Sequence, residues 1–121
     1  MTELISLEFA GLPPTINHAH INAHGRRFRS RQCKDFQTLT TLLLQRAYGN
    51  KSPYSGPVAL DIIFTARNKR RWDIDNRVKP LQDCLTLAGV IKDDSQVEQL
   101  FIKKLYSNSD QTKLVLKILK E

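Results

Sequence analysis

Between Trp72 and Val97 the chain gathers five of its twelve acidic residues, opening as Asp73-Ile74-Asp75-Asn76, with Lys79 shortly after and the pair Asp93-Asp94 beyond. Carboxylates pressed together repel unless a cation neutralises them, and Mg²⁺ does so while keeping waters for chemistry. Just upstream stand Arg67, Lys69, Arg70 and Arg71, in a chain of net charge +7. An acidic cluster set beside the chain's own positive charge suggests a hard metal held against a nucleic acid. Hydrolysis of a phosphodiester needs what such a site supplies: an activated water, neutralised phosphate charge and a stabilised leaving oxygen.

A plainer reading stands beside this one. An Asp or Asn at a helix start is usually a cap, and Asp73, Asp75 or Asn76 can each be that. One cap uses one side chain, however, and the second acidic pair lies beyond Gly89, outside the helix. Lys79 has its own alternative, an i,i+4 ion pair with Asp75. If a helix runs from about Asn76 to Ala88 it spans about 20 Å at 1.5 Å per residue. Residues Gly89 to Asp94 must then run back along the sheet for Asp94 to meet Asp73 and Asp75.

The elements that would position these residues follow from periodicity. Residues 3 to 9 alternate, with Ile5, Leu7 and Phe9 on one face, as a strand that ends at Gly11-Leu12-Pro13-Pro14. A polar, basic loop with His18, His20, His24 and Gly25 comes next. From about Ser30 to Tyr48, Cys33, Phe36, Leu39, Thr40, Leu43 and Ala47 recur at helical spacing, closed by Gly49-Asn50. Gly56-Pro57 opens a strand with Val58, Leu60, Ile62 and Phe64 on one face, and Ala59 and Ile63 make its other face apolar enough for a central position.

Leu81, Cys84, Leu85 and Ala88 form an i, i+3, i+4, i+7 stripe ended by Gly89, in a helix whose start is left between Asp75 and Lys79 by Pro80. Strands near 97 to 106 and 113 to 119, turning at Asn108-Ser109-Asp110, complete the order β-α-β-α-β-β. This is a single small α+β domain with a mixed sheet and two main helices.

Composition bounds the function. A chain of 121 residues supports one core, and 40% hydrophobic with 26% charged residues is ordinary for a globular protein. The opening MTELISLEFA lacks the positive start of a signal peptide and no run is long enough to span a membrane, so the cytoplasm is the expected compartment. Cys33 and Cys84 are far apart without a CxxC and read as buried reduced thiols.

The basic balance points to a polyanion, and nine of nineteen Lys and Arg fall in two short segments. These are Arg26, Arg27, Arg29, Arg31 and Lys34, then Arg67, Lys69, Arg70 and Arg71, a distribution suited to a phosphate track. The three histidines lack zinc spacing and read as a solvated loop or phosphate contacts. Trp72 either packs on the core or stacks on a base. Asp83, on the polar face of the second helix, reads as solvated.

The segment RRWDIDNRVKPLQDCLTLAGVIKDDSQV resembles the signature of the RusA family of Holliday junction resolvases, small endodeoxyribonucleases of bacteria and prophages. That signature is a basic stretch, D-x-D-N-x-x-K, an amphipathic helix ending near A-G, and a D-D pair followed by a small residue, Gln and Val. GLPPTINHAH is similar to the family's opening P-P-x-x-N segment. The resemblance implies that Asp73, Asp75 and Asp94 are catalytic and hold one or two Mg²⁺, that Lys79 is the catalytic lysine, and that Asn76 and Asp93 support them.

The resemblance further implies a homodimer that resolves four-way DNA junctions by paired symmetric nicks in recombination and repair. Arg26, Arg27, Arg29, Arg31, Arg67, Lys69, Arg70, Arg71 and Trp72 are then the expected DNA contacts. A junction-binding protein without catalysis, or a general Mg²⁺ nuclease on flaps or RNA, are the competing readings. Pro80 directly after the lysine departs from the family pattern.

Overall fold

The computed structural model describes residues 2–15, 20–23, 26–29, 31–69, 72 and 74–119, with segments 20–23 and 26–29 described by their backbone. Strand β1 (Glu3–Ala10) leads to β2 (His20–Ala23), β3 (Arg26–Arg29), α1 (Arg31–Tyr48), β4 (Val58–Ala66), α2 (Val78–Leu87), β5 (Val97–Tyr106) and β6 (Gln111–Ile118). The expected α+β class and order hold, with one addition. The segment read as a basic loop contains a hairpin, β2 with β3, registered from His20↔Arg29 to Ala23↔Arg26. Each of its four-residue strands has one bulky apolar residue, Ile21 or Phe28, so no alternation marks them in the sequence.

The main sheet has the order β1-β6-β4-β5. Strand β4 pairs parallel with β5 and antiparallel with β6, and β6 pairs antiparallel with β1. The last two strands are therefore consecutive in the chain but separated by β4. Central placement of β4 follows from its apolar content: Val58, Leu60, Ile62 and Phe64 are all fully buried, and Ala59 on the other face is nearly so.

Both helices pack on the Leu60–Phe64 side, where Leu44, Tyr48, Leu81, Cys84, Leu85, Leu114 and Leu116 join the same core. In α1 the buried stripe is Cys33, Thr40, Leu44 and Tyr48, whereas Leu39, expected inside, is 61% exposed and Ala47 is exposed too. The run Leu42-Leu43-Leu44 allows several rotational settings of an amphipathic helix. Contacts with α2 and β1 select the one that buries Leu44. Cys33 and Cys84 are buried and not joined in a disulfide, as expected.

Pro80 is the third residue of α2, inside the first turn, where its missing N–H has no intrahelical partner to lose. A 3-10 turn, Ile74–Arg77, precedes the helix. At the other end Gly89 takes φ +76°, its N–H donates to the Thr86 carbonyl and that of Val90 to the Leu85 carbonyl. This Schellman arrangement reverses the chain at the end of α2. Among the described residues no helix is long and apolar enough to cross a membrane.

Candidate active site

Opposite its buried stripe of Val78, Leu81, Cys84 and Leu85, helix α2 carries Lys79, Asp83 and Thr86 at i, i+4 and i+7, on one polar face. The Gly89 turn sends the chain back beside the helix. Val90 and Ile91 anchor the return in the core, and Ile91 forms a parallel bridge with Tyr54. Asp94 thereby reaches the polar face of α2. Its Oδ2 lies 2.6 Å from Lys79 Nζ, and its Oδ1 accepts a hydrogen bond of 2.8 Å from Thr86 Oγ1. Lys79 Nζ is also 2.8 Å from Asp83 Oδ1. One ammonium thus serves two carboxylates, beside an open groove of about 380 Å³ lined by Gln37, Asp83, Thr86, Leu87, Asp93 and Asp94.

The turn that presents Asp94 is built by its neighbours. Asp93 caps the short 3-10 turn Asp94–Gln96 by accepting from the Ser95 N–H at 2.9 Å. That bond holds the Asp93 carboxyl below the usual carboxylate range. Gln96 completes the capping box and uses both ends of its amide. Its Oε1 accepts from the N–H groups of Lys92 at 2.7 Å and Asp93 at 2.9 Å, while Nε2 donates to the carbonyls of Tyr54 at 2.7 Å and Gly56 at 2.9 Å. One side chain therefore ties the Asp93-Asp94 turn to the segment entering β4.

The first acidic group is positioned separately. Asp75 is exposed in the 3-10 turn and joins none of these bonds, Asn76 is half-buried beside it, and Asp73 lies outside the described residues. The i,i+4 partner of Lys79 is Asp83 and not Asp75. A 3-10 turn has about three residues per turn, so Asp75 is out of line with Lys79, whereas Asp83 follows it in regular α-helix.

Trp72 is half-buried, edge-on to Phe64 with centroids 5.9 Å apart, with Arg77 at 4.9 Å and Lys104 at 4.6 Å over its ring. Arg77 also donates to the Pro13 carbonyl at 2.5 Å, linking the Pro13-Pro14 segment to the acidic motif. Of the basic residues, Arg31, Arg67 and Lys69 are exposed, Arg26, Arg27 and Arg29 lie on β3, and Arg70 and Arg71 fall outside the described residues.

Electrostatically, Asp83 and then Asp94 raise the Lys79 pKa well above the ordinary lysine value, so the side chain is a permanent cation at neutral pH. With Lys79 54% exposed, these ion pairs add little to stability and chiefly set position. Among the described residues no three of Asp, Glu, His and Cys converge as a metal cage. The donors on offer at Asp75 and Asp94 are hard oxygens, as Mg²⁺ prefers, and each Asp94 oxygen keeps lone-pair capacity beyond its one bond. The donor chemistry of Asp75 and Asp94 therefore suits a hard cation.

A model of the family described as Endodeoxyribonuclease RusA matches residues 11–118, from the Pro13-Pro14 segment through β6. The chain belongs to the RusA family. It is also similar to the crossover junction endodeoxyribonuclease RusA of Aquifex aeolicus (strain VF5), at 28% identity over 106 residues that cover 85% of this chain and 82% of that protein. As a member of the RusA family the chain is an endodeoxyribonuclease.

Three neighbours of the site were not placed in it by sequence reasoning. Asp83, read as solvated, and Thr86 were legible as the i+4 and i+7 continuation of Lys79 on the polar face of α2. Gln96 stood in the D-D-S-Q-V run, and its offset of three from Asp93 is the capping-box spacing.

Proposed function

We propose that the protein is a Mg²⁺-dependent endonuclease that resolves four-way DNA junctions by paired symmetric nicks, acting as a homodimer. The observation that carries the reading is the Lys79–Asp94 contact, which joins the D-x-D-N-x-x-K segment to the D-D segment across fifteen residues. The similarity to a crossover junction endodeoxyribonuclease supports the substrate class. In this reading Asp73, Asp75 and Asp94 hold the metal, and Asn76 and Asp93 shape the turns that carry them. When bound, Mg²⁺ supplies an acidified water and positive charge against the phosphate oxygens.

The chain's own residues do the remaining work. Lys79 offers a positive charge to the phosphate as negative charge builds in the transition state. Thr86 and Asp83 hold Asp94 and Lys79 in place. Arg26, Arg27 and Arg29 of β3 and the basic residues between Arg67 and Arg71 supply the phosphate track, and Trp72 follows them in the sequence. Two symmetric nicks call for two sites about a two-fold axis, and a chain of this size holds one.

Cleavage of a synthetic four-way junction, with and without Mg²⁺ and against linear duplex, flap and RNA substrates, tests the proposal. Paired nicks on the junction that require Mg²⁺ support it. Binding without cutting would identify a junction-binding protein, and equal cutting of flaps or RNA a general nuclease.

A further inference from the structure

Lys79 Nζ is shared between two carboxylates with different parts to play. Asp94 Oδ2, at 2.6 Å, belongs to a proposed metal ligand, whereas Asp83 Oδ1, at 2.8 Å, does not. Different parts of the fold bring them there. Asp83 lies one turn beyond Lys79 in the same helix, so α2 alone maintains their contact. Asp94 reaches Lys79 only through the Gly89 reversal, and its other oxygen is tied to Thr86 Oγ1 at 2.8 Å.

In this structure the cation on Asp94 is Lys79. A dication that binds Asp94 upsets that arrangement whichever oxygen it takes, because it consumes the negative charge that attracts the ammonium and adds positive charge beside it. On the oxygen that Lys79 touches, an ion at Mg²⁺ distance would stand about 4 Å from Nζ, on the remaining lone pair. Like charges so close repel. If Asp94 were the sole partner, the flexible side chain of Lys79, already 54% exposed, would then swing into solvent. Asp83 gives it a second place to bind on the same polar face of α2, beside the groove that both aspartates line.

We infer that Asp83 is a positioning residue that takes over Lys79: when a divalent cation binds Asp94, the ammonium passes from a bridge between the two carboxylates to an ion pair with Asp83 alone. Lys79 thereby stays at the site, with its charge available to the phosphate. An ordinary exposed i,i+4 pair has no such dependence on a cation. The inference rests on the proposed function for the role of Asp94 and adds a residue that acts through Lys79.

Binding of Mn²⁺, which takes the same hard oxygen ligands as Mg²⁺, reads the exchange without DNA or turnover through the loss of the free ion's paramagnetic resonance signal. Asp83→Asn should weaken Mn²⁺ binding about fivefold in the otherwise wild-type chain but only about twofold in the Lys79→Met background, where loss of a nearby negative charge is all that remains. Single-turnover junction cleavage at saturating Mg²⁺ should fall in Asp83→Asn and recover in Asp83→Glu, whose carboxylate also pairs with a lysine one helical turn away. In crystals soaked with Mn²⁺, Lys79 Nζ should lie within hydrogen-bond distance of Asp83 and no longer of Asp94.

Equal weakening of Mn²⁺ binding in the two backgrounds, or a Lys79 that stays on Asp94 with the ion bound, overturns the inference. Junction cleavage that still requires Mg²⁺ would in that case leave the proposed function standing. A wild-type chain that binds no Mn²⁺ and cuts junctions equally well in chelator overturns the metal dependence of the proposed function, and the inference with it.

Discussion

Lys79 Nζ and Asp94 Oδ2 lie 2.6 Å apart although fifteen residues, most of a helix and a chain reversal separate them. The contact depends on two local devices, the Gly89 turn that ends α2 and the Gln96 amide that clamps the Asp93-Asp94 turn. Each can be altered without touching a proposed metal ligand, so position and chemistry can be tested apart.

Replacing Asp73, Asp75 or Asp94 with Asn should abolish junction cleavage and preserve or strengthen junction binding. Each change removes a metal ligand and, at the same time, a negative charge that repels DNA. Paired gel-shift and cleavage assays measure both. A variant that cuts at the wild-type rate takes its residue out of the site.

Lys79→Ala should leave junction affinity nearly unchanged and slow single-turnover cleavage about a hundredfold or more, the usual loss when a preorganised transition-state contact is removed. A full rate at saturating enzyme would reduce Lys79 to an ion-pair partner of Asp83 and Asp94.

Thr86→Val deletes the hydrogen bond to Asp94 Oδ1 at a cost of about 1 kcal/mol in stability. Cleavage should fall about tenfold, on the scale of lost support for a metal ligand. Thr86→Ser keeps the hydroxyl and should recover most of the rate. Equal rates for the Val and Ser variants would show that Thr86 does not position Asp94.

Gly89→Ala isolates the turn. A Cβ at Gly89 meets no atom within 4 Å, so the cost is the left-handed backbone alone, about 1–2 kcal/mol. Urea unfolding should show that loss, with Gly89→Asn milder because Asn tolerates this conformation. Full stability in the Ala variant would mean that the turn can adopt another geometry.

Alanine at Arg26, Arg27, Arg29, Arg70 or Arg71 should weaken junction binding and flatten its salt dependence, each lost phosphate contact lowering the slope by about one. Junction affinity measured over a salt series checks this, and an unchanged slope removes that residue from the phosphate track.

The strands and helices of the core could be read from the sequence because each is written in its own neighbours. Val58, Leu60, Ile62 and Phe64 alternate into a buried face, and Leu81, Cys84 and Leu85 recur at helical spacing, so local periodicity carries the information. Tertiary structure decided what periodicity leaves degenerate. Among Leu42, Leu43 and Leu44 it selected the leucine that α2 and β1 could cover, and it formed a hairpin in a basic segment with little apolar pattern. It also paired Lys79 with Asp83 where Asp75 was equally spaced, because the 3-10 turn changes the angular step per residue. The sequence names the charged groups of the site by type and spacing. Which of them touch depends on the Gly89 reversal and the Gln96 clamp, since a contact between distant residues is set by the path of the backbone between them.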